Sequence, residues 1–218
     1  MSLFRLDASI RREGSVTRQV ADTVEAAWHA EHPGGAVNRR DLGTEPLPAD
    51  AWLTAVSAGM SPAEQRSGAQ LEATRLATTL ADELIAADAY LFAVPLYNFG
   101  VPHHVKAWID LLLTDPRLGP GGDQPLAGRP AVLVLARGGG YGPGTPREGW
   151  DHATPYLRRI FGDVLGLDLH VTAAELTLAG VNPAMAELRG LAEQSLNDAH
   201  GTAETHGRSI GKRVRDAA

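Results

Sequence analysis

Asp88-Ala-Tyr-Leu-Phe-Ala-Val94 runs directly into Pro95-Leu-Tyr-Asn-Phe-Gly100 and then into Val101-Pro-His-His-Val-Lys-Ala-Trp-Ile-Asp110. The first stretch is continuously apolar from Ala89 to Val94 and rich in residues that favour strands, as a central parallel strand covered on both faces requires. The second is a turn crowded with Pro, Asn, Gly and two aromatics, and the third is a helix opened by Pro102. A buried strand that breaks into such a turn and then into a helix is how α/β proteins set a ligand outside the carboxyl ends of their strands. A flat ligand with a polar edge suits this turn.

Working outward, Pro130-Ala-Val-Leu-Val-Leu-Ala136 repeats the buried-strand pattern, and Val105–Leu113 lies between the two as a helix. Asp115–Gly128 is a Gly- and Pro-rich loop. Upstream, Leu3–Ser9 is a strand, Ser15–Glu31 a helix with apolar residues at Val16, Val20, Val24, Ala27 and Trp28, and Ala36–Leu42 a weaker strand. Thr44–Met60 holds a short helix, and Pro62–Ala87 reads as one long helix through Leu71, Leu76, Leu80, Leu84 and Ile85. Downstream come a helix over Ala153–Leu165, a strand over Leu167–Leu176 and a closing helix over Pro183–Ile210. Strands alternating with helices predict one α/β domain over residues 1–218, with a doubly wound, five-stranded parallel sheet and helices on both faces.

The chain has 218 residues, 44% hydrophobic and 21% charged, within ordinary globular usage. Twenty Lys and Arg against 26 Asp and Glu give a formal charge of −6, which offers no general attraction for nucleic acid or anionic membranes. Small molecules are the expected partners. The absence of cysteine excludes disulfides, a thiol nucleophile and cysteine-held clusters. No apolar run approaches the roughly 20 residues of a membrane span, and no leader pattern precedes the first strand, so the expected location is cytoplasmic.

Three loops follow successive strands. Ser9-Ile-Arg-Arg-Glu-Gly-Ser-Val-Thr17 places hydroxyls, a Gly and free backbone N–H groups at a helix start, with Arg11 or Arg12 as charge partner, which suits a phosphate monoester; plain capping by Ser15 would leave the same pattern. In Pro95–Gly100, Tyr97 and Phe99 offer ring faces and the Asn98 and Phe99 N–H groups face a heteroaromatic edge, unless the aromatics merely pack inward. Arg137-Gly-Gly-Gly-Tyr-Gly-Pro-Gly144 allows close backbone approach or is only a flexible connection. Their placement at one sheet edge is what argues for a single ligand whose phosphate, chain and flat ring cross all three.

The segments Ser9-x-Arg11-x-x-x-Ser15-x-Thr17, Pro95-Leu-Tyr-Asn-Phe99, Val105-Lys-Ala-Trp-Ile-Asp110, Ala136-Arg-Gly-Gly139 and Thr154-Pro-Tyr-Leu157 together resemble the FMN-dependent NADH-azoreductases, also called NADH:quinone oxidoreductases. The resemblance implies a flavodoxin-like fold, a homodimer, one FMN per subunit near the dimer interface, and NADH or NADPH as co-substrate. It implies that Ser9, Arg11, Ser15, Val16 and Thr17 hold the phosphate, that Pro95, Leu96, Tyr97, Asn98 and Phe99 line the ring edge, and that Ala136, Arg137, Gly138, Gly139 and Tyr141 meet the pyrimidine side. Phe99, Tyr141 and Trp52 are the expected contacts for a quinone or azo substrate, and Asn98, Phe99 and Tyr141 the groups nearest the chemistry. Electrons would pass in two half-reactions with no covalent nucleophile and no metal. The alternatives are a non-catalytic FMN electron carrier or flavin-responsive regulator, or a phosphate-binding domain without flavin.

The chain departs from the family pattern at three places. Leu112-Leu-Thr-Asp-Pro-Arg-Leu-Gly-Pro-Gly-Gly122 stands where many members have an aromatic Gly-x-Thr-Phe-x-Tyr stretch, Tyr141 where some have His, and Ala136 where Ser is frequent. Gly207-Arg-Ser-Ile-Gly211 has the letters of a nucleophile elbow but no strand before it and no His after it. His29 with His32, and His103 with His104, lack metal-site spacing and read as solvated helix residues. No dinucleotide fingerprint follows the first strand and no Walker motif occurs. Arg208 to Arg215 read as a solvated face.

Overall fold

The structure, a computed structural model, describes residues 1–119 and 121–216. β1 (Ser2–Asp7), β2 (Ala36–Asp41), β3 (Ala89–Pro95), β4 (Pro130–Ala136) and β5 (Asp168–Ala174) form one sheet in the order β2-β1-β3-β4-β5, every pairing parallel. This is the doubly wound parallel sheet that the alternation of elements predicts, in the flavodoxin-like form that the resemblance implies, and its strand order reverses between β1 and β3. β3 and β4 are buried along their whole length, whereas the edge strand β2 is largely open, as their residue patterns require.

Alternation along the strands divides the core. Leu3, Leu91, Ala93, Val132 and Val134 face α1 (Val16–Glu31) and α6 (Arg189–Asp216). Phe4, Leu6, Tyr90, Phe92, Leu133 and Leu135 face the other way, toward α2 (Ala51–Gly59), α3 (Gly68–Ile85), α4 (His103–Leu112) and α5 (Ala153–Arg158). On this second side Phe92 stacks on Phe161 with ring centroids 4.0 Å apart.

Several boundaries differ from the sequence expectation for identifiable reasons. The long helix expected over Pro62–Ala87 is broken: a 3₁₀ turn at Ala63–Gln65 gives way to extended backbone at Arg66, and Ser67 starts α3 through a capping box with Gln70. β1 ends at Asp7 rather than Ser9, which leaves Ala8 and Ser9 to the loop. The helix expected to Leu165 widens after Arg158 into a π-helical turn, Arg159–Val164, which carries Phe161. The last helix begins as a 3₁₀ turn at Pro183–Leu188 and runs on to Asp216. The Asp115–Gly128 stretch follows α4 as an irregular segment, Pro120 lying outside the described residues.

Two of the histidines expected to be solvated are buried. His32 Nε2 lies 2.7 Å from the Gly211 carbonyl and His104 Nε2 2.8 Å from the Ala8 carbonyl, so each ring enters the interior with a hydrogen-bond partner. The Gly207-x-x-x-Gly211 spacing also finds its reason here. A Cβ on Gly207 would sit 2.4 Å from the Val24 carbonyl oxygen and one on Gly211 2.9 Å from Glu31 Cβ, so both positions admit α1 at close range.

Candidate functional site

The site forms at the carboxyl ends of β1, β3 and β4, where the strand order reverses. Ser15 caps α1, its hydroxyl accepting from Arg18 N at 3.4 Å, and Gly14 turns the chain into the helix with φ +65°. Val16 and Thr17 are in the first turn, so their N–H groups have no intrahelical acceptor and face the cavity under the positive end of the helix dipole. Ser9, Ser15 and Thr17 are all buried. Among the described residues the Thr17 hydroxyl makes no hydrogen bond to protein, and Arg11 forms no ion pair. Buried donors and a free cation at a helix start are the makings of an anion site.

Arg18 holds this loop from behind. Its guanidinium donates to the carbonyls of Ser9 at 2.8 Å and Arg11 at 3.1 Å and to Asp41 at 2.8 Å. Asp41 in turn accepts from the N–H groups of Gly43 and Thr44. Burial works against both charges, but the Arg18 contact holds the Asp41 carboxyl below its ordinary range and Asp41 raises Arg18. The β2–α2 loop is pressed so closely on the first loop that a Cβ on Gly43 would fall 2.1 Å from the Ser9 carbonyl oxygen. His104 supports Ala8 from α4.

The loop after β3 is a tight turn in which Gly100 N donates to the Tyr97 carbonyl at 2.9 Å and both central residues are left-handed, Asn98 with φ 48° and Phe99 with φ 67°. That is the pattern of a type I′ turn, normally filled by Asn or Gly, and a Phe there carries strain of the kind found at ligand sites. Tyr97 was expected to offer a ring face; its hydroxyl also ties the turn to the first loop, accepting from Ile10 N at 3.3 Å.

The loop after β4 is fastened to the loop after β5. Thr177 N and its hydroxyl donate to the Arg137 carbonyl, and Leu178 N donates to that of Gly138. Leu178 also packs where a Gly138 side chain would be, since a Cβ there would lie 2.7 Å from its Cδ1. The Arg137 side chain points into the framework, donating to Glu175 and Thr154 and pairing with Asp151. Asp151 caps α5 through Ala153 N and Thr154 N, which explains the Thr154-Pro-Tyr-Leu157 segment as the anchor of this loop.

These loops enclose a cavity of about 230 Å³ lined by Ser9, Arg11, Ser15, Val16 and Thr17 from the first, Pro95, Leu96 and Tyr97 from the second, and Ala136 and Gly138 from the third. Sequence reasoning named all ten of these and pointed to Gly14 as the glycine of the first loop; it missed Thr177 and Leu178, because β5 supplies a fourth loop without a motif. Asn98, Phe99, Arg137, Gly139 and Tyr141 stand outside that lining. At the cavity's rim Phe99 meets Trp150 edge to face at 5.4 Å, and Arg147 lies over both Phe99 and Tyr141. Trp52 is on α2, half exposed, and does not line the cavity. A larger cleft of about 480 Å³ lies at the opposite end of the sheet, but its Arg129, Arg213 and Asp88 are already partnered within the protein.

The model of a family described as having a flavodoxin-like fold matches residues 1–197. An FMN-dependent NADH:quinone oxidoreductase of Parafrankia sp. (strain EAN1pec) is 41% identical over 204 residues, covering 92% of this chain and 96% of the relative. One from Streptomyces coelicolor is 40% identical over 218 residues, covering 98% and 96%.

The chain belongs to the FMN-dependent NADH:quinone oxidoreductases.

Among solved structures, an azoreductase from Bacillus anthracis str. Sterne superposes with a TM-score of 0.75 at 20% identity, covering 96% of this chain and 99% of its own. The FMN-dependent NADH-azoreductase from Bacillus anthracis str. Ames Ancestor, a complex with FMN, gives 0.73 at 16% identity, covering 94% and 98%. At those identities the likeness is one of fold. For an FMN-dependent NADH:quinone oxidoreductase the donor set here fits its cofactor. The unpartnered Thr17 hydroxyl, the buried Ser9 and Ser15 and the free Arg11 suit a phosphate, and the wall of Pro95, Leu96 and Tyr97 beside the left-handed 98–99 turn suits a ring. Among the described residues no cluster of three or more metal-ligating side chains exists and no helix is long and apolar enough to cross a membrane.

Proposed function

We propose that the protein is a single-domain FMN oxidoreductase that carries two electrons from NADH to quinones or azo compounds, the donor leaving before the acceptor binds. The observation that carries this reading is the cavity running from the buried hydroxyls of the first loop to Pro95, Leu96 and Tyr97, directly before the left-handed turn at Asn98 and Phe99. FMN, when bound, supplies the redox chemistry, taking up hydride from NADH and passing two electrons to the acceptor.

The chain's own share is positioning and charge. Ser9, Ser15, Val16 and Thr17, with Arg11, hold the phosphate dianion at the start of α1. Pro95, Leu96 and Tyr97 make a wall along the ring, and the Asn98 and Phe99 N–H groups face its edge, where preorganised donors favour the build-up of negative charge. Ala136 and the backbone of Arg137, Gly138 and Gly139 meet the pyrimidine side, with Leu178 and Arg147 packed into the space the two glycines leave. Phe99 and Tyr141, with Trp150, form the exposed aromatic floor on which a flat substrate rests. In a homodimer, Trp52 and its exposed α2 neighbours Leu53, Val56 and Met60 have an apolar face for a second copy to cover. We place the enzyme in the cytoplasm, where its nicotinamide donor is found.

Anaerobic addition of NADH to the yellow protein tests the reading. Rapid bleaching followed by recovery of colour on adding a quinone is expected. An unchanged spectrum would favour a non-catalytic carrier, and colourless protein that fails to take up added FMN would end the proposal.

A further inference from the structure

Arg147 differs from the arginines that brace the loops, and from the unpaired Arg11 by resting on aromatic rings. Arg18 is paired with Asp41, and Arg137 with Glu175 and Asp151. Among the described residues Arg147 forms no ion pair, and the carboxylate next to it, Glu148, is occupied by Gly144 N at 2.8 Å. What holds Arg147 is aromatic: its guanidinium carbon is 5.7 Å from the Phe99 ring centre and 5.9 Å from that of Tyr141, and Nη1 lies 3.4 Å from the Tyr141 hydroxyl. The same Nη1 would be only 3.0 Å from a Cβ on Gly139, so the head group lies close over the third loop.

A guanidinium resting on ring faces is held in place while the donors at its edge stay free, and it is weakly hydrated enough to take an anion from water. The rings that hold it are those assigned above to the acceptor, so an acceptor on their uncovered faces or edges lies beside the guanidinium. An aromatic acceptor with a carboxylate or sulfonate at its rim meets a planar donor pair of opposite charge, whereas a neutral one leaves the guanidinium in solvent. In a chain of formal charge −6, this is a local positive point at the mouth of the site.

We propose that Arg147 is a specificity-determining residue that selects anionic aromatic acceptors, carboxylated or sulfonated azo compounds and quinones, over their neutral parents. The proposal rests on the oxidoreductase reading above. It requires no chemistry from Arg147 itself: the guanidinium recognises the acceptor's charge and leaves the electron transfer to the cofactor.

The test uses FMN-loaded protein, NADH and two azo compounds of one skeleton, dimethylaminoazobenzene and its ortho-carboxylate. The ratio of kcat/KM for the carboxylate to that for the neutral parent is expected to fall about fivefold in Arg147→Gln, the upper end for an exposed ion pair, and to be largely kept in Arg147→Lys. Independently of turnover, calorimetry should show naphthalenesulfonate binding the holo protein more weakly in Arg147→Gln, with the difference shrinking as salt is raised. An unchanged ratio and unchanged sulfonate binding would overturn the proposal. So would a rise in KM for NADPH but not NADH at a constant acceptor ratio, which would assign the guanidinium to the cosubstrate's phosphate. Failure of NADH to bleach the parent's flavin would defeat the underlying reading, and this proposal with it, before any acceptor is added.

Discussion

The two ends of the cavity are built on opposite plans. At the α1 end the hydroxyl-bearing Ser9, Ser15 and Thr17 are buried and the backbone is braced: Arg18 grips the carbonyls of Ser9 and Arg11, Asp41 grips Arg18, and Gly43 lies against Ser9. At the other end the backbone is strained and the side chains are open, with Asn98 and Phe99 left-handed, Phe99 38% and Trp150 53% exposed, and Arg147 without a counter-ion. The contrast separates two tasks. A phosphate has one shape and one charge, so its site gains from rigidity; a site for varied flat substrates gains from an accessible surface and keeps its precision in the backbone.

Breaking the braced end should cost the most. Gly43→Ala drives a methyl into the Ser9 carbonyl, and the unfolding free energy is expected to fall by about 2 kcal/mol in urea titrations, with FMN affinity falling alongside. Arg18→Met leaves the fold standing but frees the first loop. Its FMN dissociation constant, from fluorescence titration, is expected to rise about tenfold, the worth of one hydrogen bond to a charged group. If flavin affinity proved indifferent to Arg18, the bracing would be irrelevant to the ligand and the contrast would fail.

At the open end stability and function should move in opposite directions. Phe99→Gly relieves a left-handed residue of about 1 kcal/mol of strain while removing its contact with Trp150. The thermal midpoint is expected to hold or rise as the acceptor KM increases. A midpoint that drops sharply would show that this end is braced too, through its side chains.

The smallest expected effect is a pH dependence. Burial and the nearby His103 hold the His104 imidazole below its ordinary 6.5, against the raising influence of the Ala8 carbonyl and Asp41. The folded ring therefore stays neutral where an unfolded chain takes up a proton. Its stabilisation is complete above about pH 6.5 and is lost as the pH falls below that value, until the folded ring also titrates. His206, lowered by burial and by His170, acts in the same direction, so His104→Asn should reduce the slope of stability against pH without abolishing it.

What the sequence made legible follows the range of the forces involved. β3 and β4 announce themselves because full burial demands an unbroken apolar run, and Ser15 because capping is local. The break before α3 was also written locally, as Ser67-x-x-Gln70, but the apolar period on both sides masked it. The clamp was not readable. Arg18 and Asp41 meet only because β1 and β2 pair in the register Asp7 to Asp41, a consequence of the whole sheet. Trp150 and Arg147 carry no motif either, and reach Phe99 by the path of an irregular loop. The turn at Asn98-Phe99 was legible but its left-handed conformation was not: without glycine at its centre, such a pair has little local signature beyond the Asn.

Gly207 and Gly211 seat the C-terminal helix directly against the helix whose first turn receives the phosphate. Translation makes these two partners nearly two hundred residues apart, so the start of the protein waits for its finish. A ribosome-tethered chain halted before Gly207 is expected to stay colourless in FMN and to turn yellow only once Gly207 and Gly211 emerge, which would make pigment uptake a readout of α6 docking on α1.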